Sequence, residues 1–153
     1  MYIFDTASFA DLFRFYPKRF PSLWREFNSL VEASKIISVK EVLKEIKGRN
    51  DSLCEWAIKN SQLFQEPSTE EAIFVSEIFQ APNFQQSLEA KKLLKGGAFA
   101  DPFVIAKAKI LSGTVVTQEK LKPNSSKIPN ICRHFGVKCI DLEALMEEEG
   151  WEF

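Results

Sequence analysis

Four short apolar runs recur along the chain with helical patterns between them: Tyr2-Ile3-Phe4, Ile36-Ile37, Thr114-Val115-Val116-Thr117 and Val137-Lys138-Cys139-Ile140. Each is too short for a helix and suits a buried strand. Strands separated by whole helices are the pattern of a parallel sheet with crossover connections and helices on both faces. The alternation predicts an α/β fold, a three-layer α/β/α arrangement with a short, mostly parallel central sheet. The stretch after Asp51 is nearly all helical in pattern, so a helix-rich middle segment is expected to form a layer or lid.

The helix boundaries follow from caps and breakers. Asp5-Thr6-Ala7-Ser8 offers N-cap chemistry to a helix around 8–15. Phe20, Leu23, Trp24, Phe27, Leu30 and Val31 recur at spacings of three and four and predict an amphipathic helix. Ser38 with Glu41 three residues on reads as a capping box for a helix ending near Gly48. Asp51 starts another helix. Pro67-Ser68-Thr69-Glu70-Glu71 starts one whose stripe is Ile73, Phe74, Ile78 and Phe79, stopped by Pro82. Residues 84–94 form a further helix that ends at the Gly96-Gly97 breaker, and Asp101-Pro102 opens one that runs to Gly113. Residues 119–129, with Pro123 and Pro129, read as a surface loop. Helices at 131–135 and 141–149 complete the chain. With no repeat or linker, residues 1–153 read as a single domain.

Composition removes several function classes. A formal net charge of −1 provides no global basic field for non-specific nucleic-acid binding, although a local basic rim stays compatible with it. The three cysteines, Cys54, Cys132 and Cys139, lack metal-ligand spacing, so a zinc site or disulfide framework is not expected. They read as thiols of a reducing cytoplasm. No run approaches the roughly 20 apolar residues of a membrane span, and Met-Tyr-Ile-Phe-Asp is unlike a signal peptide. A cytoplasmic protein with no membrane partner is expected. The lone His134 cannot build a histidine-rich metal site.

The chemistry-bearing residues are acids at the ends of predicted elements. Asp5 follows the first strand, Asp101 opens a helix, Glu119 follows the Thr114–Thr117 strand, and Glu45 lies one helical turn beyond Glu41. Each has a plain alternative: Asp5 and Asp101 also read as helix-start residues, Glu119 as a solvated loop residue, and Glu41 and Glu45 as a solvated helical face. Parallel strands would bring Asp5, Asp101 and Glu119 to one sheet edge. Converging carboxylates repel, and Mg²⁺ or Mn²⁺ with oxygen ligands is the usual remedy. Lys91, Lys92 and Lys95 precede Asp101, and Lys120, Lys122 and Lys127 follow Glu119. Both sets read either as phosphate contacts along bound RNA or as solvated surface. Phe9, Phe13, Phe15, Tyr16 and Phe20, interleaved with Arg14, Lys18 and Arg19, read as core or homodimer interface, or as a stacking surface for single-stranded RNA.

Taken in order, these residues resemble the motifs of PIN domains. Ile3-Phe4-Asp5-Thr6-Ala7-Ser8 is similar to the opening motif, and Val42-Leu43-Lys44-Glu45-Ile46 to the second. Ala100-Asp101-Pro102-Phe103-Val104-Ile105-Ala106-Lys107-Ala108 is similar to the third, and Thr114-Val115-Val116-Thr117-Gln118-Glu119 to the fourth. Over its length, with Gly96-Gly97, Pro123-Asn124 and the Glu149-Gly150-Trp151-Glu152-Phe153 terminus, the chain resembles the DUF4411 group. The resemblance implies a PIN-like domain with metal-dependent ribonuclease activity, which cleaves RNA phosphodiesters through a Mg²⁺- or Mn²⁺-activated water. Such proteins are often the toxin of a toxin–antitoxin pair, with an antitoxin protein as partner. Position by position it carries metal ligation to Asp5, Glu45, Asp101 and Glu119, with Thr6, Ser8 and Thr117 orienting them. Glu119 departs from the usual Asp by one methylene. Glu41 is a substitute for Glu45, and Glu45 is preferred because its aliphatic neighbours match the motif and Glu41 has the capping role. A PIN scaffold kept as a non-catalytic interaction module, and a DNA-directed nuclease or phosphatase using the same acids, are the alternatives.

Overall fold

The computed structural model describes residues 1–96 and 99–153, so the second glycine of the breaker, Gly97, lies outside the described residues. Five strands form one sheet: β1 (Tyr2–Phe4), β2 (Ile36–Val39), β3 (Phe64–Gln65), β4 (Thr114–Val116) and β5 (Lys138–Ile140). Their order is β3-β2-β1-β4-β5, and every pairing is parallel. From β1 the chain winds outward through β2 to β3, then crosses back to the other side of β1 and continues through β4 to β5. The direction of winding therefore reverses between β1 and β4, which makes the carboxyl ends of these two strands a topological switch point.

Helices α1 (Thr6–Leu12), α2 (Pro21–Glu32), α3 (Lys40–Lys47) and α4 (Ser52–Lys59) accompany the outward winding. The crossing back is made by α5 (Thr69–Gln80), α6 (Gln85–Leu94) and α7 (Asp101–Leu111). Helix α8 (Ile128–Phe135) joins β4 to β5, and α9 (Leu142–Glu148) follows. The result is the α/β/α layering read from the alternation. β1 and β2 are buried along their whole length, as strands covered on both faces must be. An aromatic cluster joins Phe4 of β1 to Phe9 and Phe13 of α1, Trp24 and Phe27 of α2, Trp56 of α4 and Phe64 of β3, with ring centroids 4.7–6.2 Å apart. Helix α7 packs against β1, β2 and β4 and lies along α5. Among the described residues no helix is long and apolar enough to cross a membrane.

Several sequence-based expectations are corrected. Ser38 is not an N-cap: it lies inside β2, fully buried, and its hydroxyl donates to the Phe4 carbonyl at 2.7 Å. Pairing of Ser38 and Val39 with Phe64 and Gln65 extends β2, so α3 starts at Lys40 with Val39 as cap and no side-chain cap bond. Glu41 thus has no capping role. The capping box forms instead at Ser68 and Glu71, the expected start of α5. That helix buries Glu71, Phe74, Val75 and Ile78 and exposes Ile73. Helix α1 stops at Leu12 rather than near 15. Helix α8 begins at Ile128, with Pro129 in its first turn rather than in the loop.

The buried face of α5 meets α7 through a charge pair. Lys107 Nζ lies 2.8 Å from Glu71 Oε1 with both side chains at most 4% exposed, an ion pair rather than a well-aligned hydrogen bond. The ammonium also donates to Gln65 Oε1 at 3.3 Å, and Glu71 Oε2 accepts from the Ser68 amide at 3.2 Å. Burial alone would raise the Glu71 carboxyl, but Lys107 and Ser68 outweigh it and hold it below the usual range. The stability it contributes is present above the ordinary glutamate value and lost as pH falls through the depressed one. Removing Lys107 strands a buried carboxylate. Lys107→Ala is expected to lose about 3–5 kcal/mol, measured by chemical denaturation. A second change, Glu71→Gln in that background, should recover part of the loss.

Candidate functional site

The polypeptide leaves β1 at the switch point with Asp5 in an extended conformation, and the side chain then caps α1. Asp5 Oδ1 accepts from the Ser8 amide at 2.8 Å, and Oδ2 accepts from Thr117 Oγ1 at 2.5 Å. The cap reading of Asp5 holds on one oxygen, and the other is bonded to Thr117. Thr117 sits just beyond β4 and is buried. The Ser8 hydroxyl donates to the Val116 carbonyl at 2.9 Å and the Asp5 amide to the same carbonyl at 3.1 Å. These bonds stitch the carboxyl ends of β1 and β4 together.

Three further carboxylates face the cleft that opens here. Asp101 is the first residue of α7, with Ala100 as the cap, so its carboxylate is not used to start the helix. Among the described residues no group donates a hydrogen bond to it. Glu45 reaches the cleft from α3, with Oε1 accepting from Thr6 Oγ1 at 2.5 Å and Oε2 3.2 Å from Lys95 Nζ. Glu119 Oε2 accepts from the Ile128 amide at the start of α8, at 2.9 Å. The cleft holds about 570 Å³ and is lined by Asp5, Glu45, Asp101 and Glu119 together with Thr6, Arg49, Lys95 and the small Ala7 and Ala10. Glu45, not Glu41, is the helical acid that lines it. Glu41 sits elsewhere, its Oε2 buried without a hydrogen-bond partner among the described residues.

The electrostatics of the cleft are those of crowded negative charge. Burial pushes the Asp101 carboxyl up to about 7, with Glu119 adding to the rise and Lys95 opposing it. Burial also raises Asp5, against the bonds from Thr117 and Ser8. Desolvation would lower the Lys95 ammonium, but Glu45, Asp101 and Glu119 outweigh it and hold it above its ordinary value. Arg49, which the sequence reading missed, is turned to Asp51 at 2.8 Å. Its only sequence signal is a cation just past the end of α3.

The donor set is all carboxylate oxygen, which suits a hard divalent cation. Among the described residues, no group of three or more His, Cys, Asp or Glu side chains stands in a geometry that holds a metal ion. Asp5, Glu45 and Glu119 are each held by donors of the chain itself.

The lysines read as phosphate contacts are dispersed. Lys95 lines the cleft. Lys91 donates to the Ser126 carbonyl at 2.9 Å, and Lys92 lies over the Phe79 ring at 5.5 Å. Lys120 and Lys122 are exposed on the loop after Glu119, and Lys127 caps α8. A cleft of about 620 Å³ lined by Asn83, Phe84, Asn124, Ser125, Asn130, Arg133 and His134 carries no carboxylate and contributes nothing to the acidic site. There His134 is exposed, edge-on to Phe84 and Phe135.

Fold and site together define an α/β protein with a four-carboxylate cleft at the switch point of a parallel sheet. The chain belongs to the family described as Domain of unknown function (DUF4411), whose model matches residues 2–153. No curated protein and no solved structure gives a significant match to it.

The raised Asp101 value has a direct consequence for the metal-free protein. Unfolded, Asp101 ionises near pH 4; folded, it holds its proton up to about pH 7. The favourable protonated state is lost as pH rises through that window. Asp101→Asn cannot ionise, so in EDTA it should melt above the wild type at pH 8, with a much smaller gap at pH 4.5. With partial exposure discounted, the gap is roughly 2 kcal/mol, about 5 °C, measured by calorimetry at both pH values.

Proposed function

We propose that the chain is a PIN-like endoribonuclease dependent on Mg²⁺ or Mn²⁺, serving as the toxin of a toxin–antitoxin pair. The observation that carries this reading is that Asp5, Glu45, Asp101 and Glu119, from four separate segments, line one cleft at the switch point. The motif resemblance named the same four residues in the same order, which supports it further.

Asp5, Glu45, Asp101 and Glu119 would hold the ion. A bound ion supplies Lewis-acid polarisation of the scissile phosphate and a nucleophilic water. The rest is done by the chain's own side chains. Thr117 and Ser8 fix the rotamer of Asp5, as Thr6 does for Glu45. Asp101, with a proton affinity near neutrality, holds or releases a proton at its carboxyl according to the charge placed beside it. Lys95, the cation paired with Glu45, is also beside the carboxylates and able to meet an incoming phosphate, as is Arg49 on the cleft wall. Loading the site requires some of the internal bonds to these carboxylates to give way.

One observation favours a second reading, a non-catalytic interaction module: Lys95 pairs with Glu45 within the cleft. A DNA-directed nuclease or phosphatase would draw on the same acids.

Calorimetric titration of the purified chain with Mn²⁺, beside Asp101→Asn, separates these readings. Saturable binding is expected in the wild type and not in the variant. Cleavage of single-stranded RNA should require the metal. It should fall by on the order of 100-fold or more in Asp5→Asn, Glu45→Gln and Asp101→Asn, and by about 10- to 100-fold in Thr117→Val. Asn is itself a good N-cap, so Asp5→Asn keeps α1 in place. Undiminished cleavage by Asp101→Asn would exclude this mechanism. Neither metal binding nor cleavage of RNA, DNA or a phosphomonoester would leave the interaction module.

A further inference from the structure

The aromatic and basic segment between α1 and α2 divides in the fold. Phe9 is fully buried and Phe13 packs on Trp24 and Trp56, as core residues do. Phe15, Tyr16 and Phe20 are instead 37%, 67% and 42% exposed. Arg14, Lys18 and Arg19 are exposed in the same turn, and residues 13–20 hold no carboxylate. Among the described residues only Arg14 of the three is paired, 3.4 Å from Asp11. Three cations among six residues stand out in a chain of net charge −1.

The segment is ordered rather than loose. Trp24 Nε1 donates to the Phe15 carbonyl at 2.5 Å. The Arg19 and Phe20 amides both donate to the Tyr16 carbonyl, at 2.9 and 3.0 Å. The Phe15 and Phe20 rings meet edge to face, 5.4 Å apart, which holds the flanks of the turn and leaves Tyr16 outward. Aromatic rings pre-set in this way lose little freedom when a base stacks on them.

The segment also adjoins the acidic cleft. Helix α1, roughly 10 Å long at seven residues, runs from Asp5 to it. On the other side, Arg14 and Phe15 share a groove of about 350 Å³ with Gln118, the residue between Thr117 and Glu119. Two carboxylates, Asp11 and Glu143, also line that groove, so phosphates are favoured at Lys18 and Arg19 rather than within it.

We infer that the turn between α1 and α2 is a docking platform for single-stranded nucleic acid, in which Tyr16, with Phe15 and Phe20, stacks bases while Lys18 and Arg19 contact phosphates, and from which the strand runs beside α1 towards the acidic cleft. This rests on the nucleic-acid substrate class proposed above. Charge complementarity selects this occupant over a second copy of the chain, because a two-fold interface on this patch would bring the same three cations towards their own copies.

The test is fluorescence anisotropy of a fluorescein-labelled 12-nucleotide single-stranded RNA of mixed sequence, titrated with the full chain in EDTA so that no cleavage occurs. Tyr16→Ala, a change at an exposed position, is expected to weaken binding about tenfold with an unchanged melting temperature. Lys18→Gln with Arg19→Gln is expected to lower the slope of log K against log salt by about 1.4. With Mn²⁺ present, Tyr16→Ala should raise KM and leave kcat unchanged. Unchanged affinity in both variants overturns the inference. So does sedimentation showing a wild-type dimer that Tyr16→Ala dissociates. RNA binding through the turn without Mn²⁺-dependent cleavage upholds the platform and refutes the nuclease. Cleavage with unchanged KM in Tyr16→Ala does the reverse.

Discussion

The buried ion pair between Lys107 and Glu71 ties together α5 and α7, the two helices in closest contact. It is buried at the contact of α5 and α7, and α7 is the helix that touches β1, β2 and β4. A buried pair is not in itself a source of stability, since an apolar pair of similar size does as well or better. What it contributes is register. An ammonium that must meet Glu71 and Gln65 together allows α7 little freedom to slide along α5, because sliding would leave charge buried and unpaired. Asp101 sits six residues before Lys107 on the same helix, so a slide of α7 would also move that carboxylate relative to the cleft.

The cleft is costly for the same chain. Asp5 is buried and Asp101 largely so, and both are pushed towards protonation by desolvation and by neighbouring acids. A sequence under pressure for stability alone would not retain such a group. The chain offsets part of the cost with its own donors: the Ser8 amide and Thr117 on Asp5, Thr6 and Lys95 on Glu45, and the Ile128 amide on Glu119. Asp101 has no such donor among the described residues, and its value is the one raised to about 7. The turn carrying Tyr16 shows the complementary feature, exposed rings and cations, at the far end of the helix that Asp5 begins.

Much of this was legible in the residues because local periodicity and capping are local physics. The strands at 2–4, 114–116 and 138–140 are short apolar runs between breakers, and the Ser68–Glu71 box caps the helix it precedes. The same Ser-x-x-Glu spacing at Ser38 misled, because a parallel partner extended the strand through it. That partner, β3, is two residues long and leaves no pattern to read. Asp5, Asp101 and Glu119 were legible as candidates from their places beside strands and helix starts. Arg49 and the pairing of Lys95 with Glu45 were not, since they depend on how segments about fifty residues apart come to rest.

By itself the sequence determined the alternation of strand and helix, hence the parallel three-layer class, and set acids where a parallel sheet turns over into helices. Those properties follow from side-chain period, φ/ψ preference and capping, which act within a few residues. Only the tertiary structure decided that Glu45 rather than Glu41 lines the cleft, that Ser38 belongs to a strand, that Lys107 is buried, and that Phe15, Tyr16 and Phe20 remain outside the core. Each of these depends on which distant surface a side chain meets. Burial and pairing are settled by packing across the whole chain, where no local pattern distinguishes an aromatic ring that will be covered from one that will not.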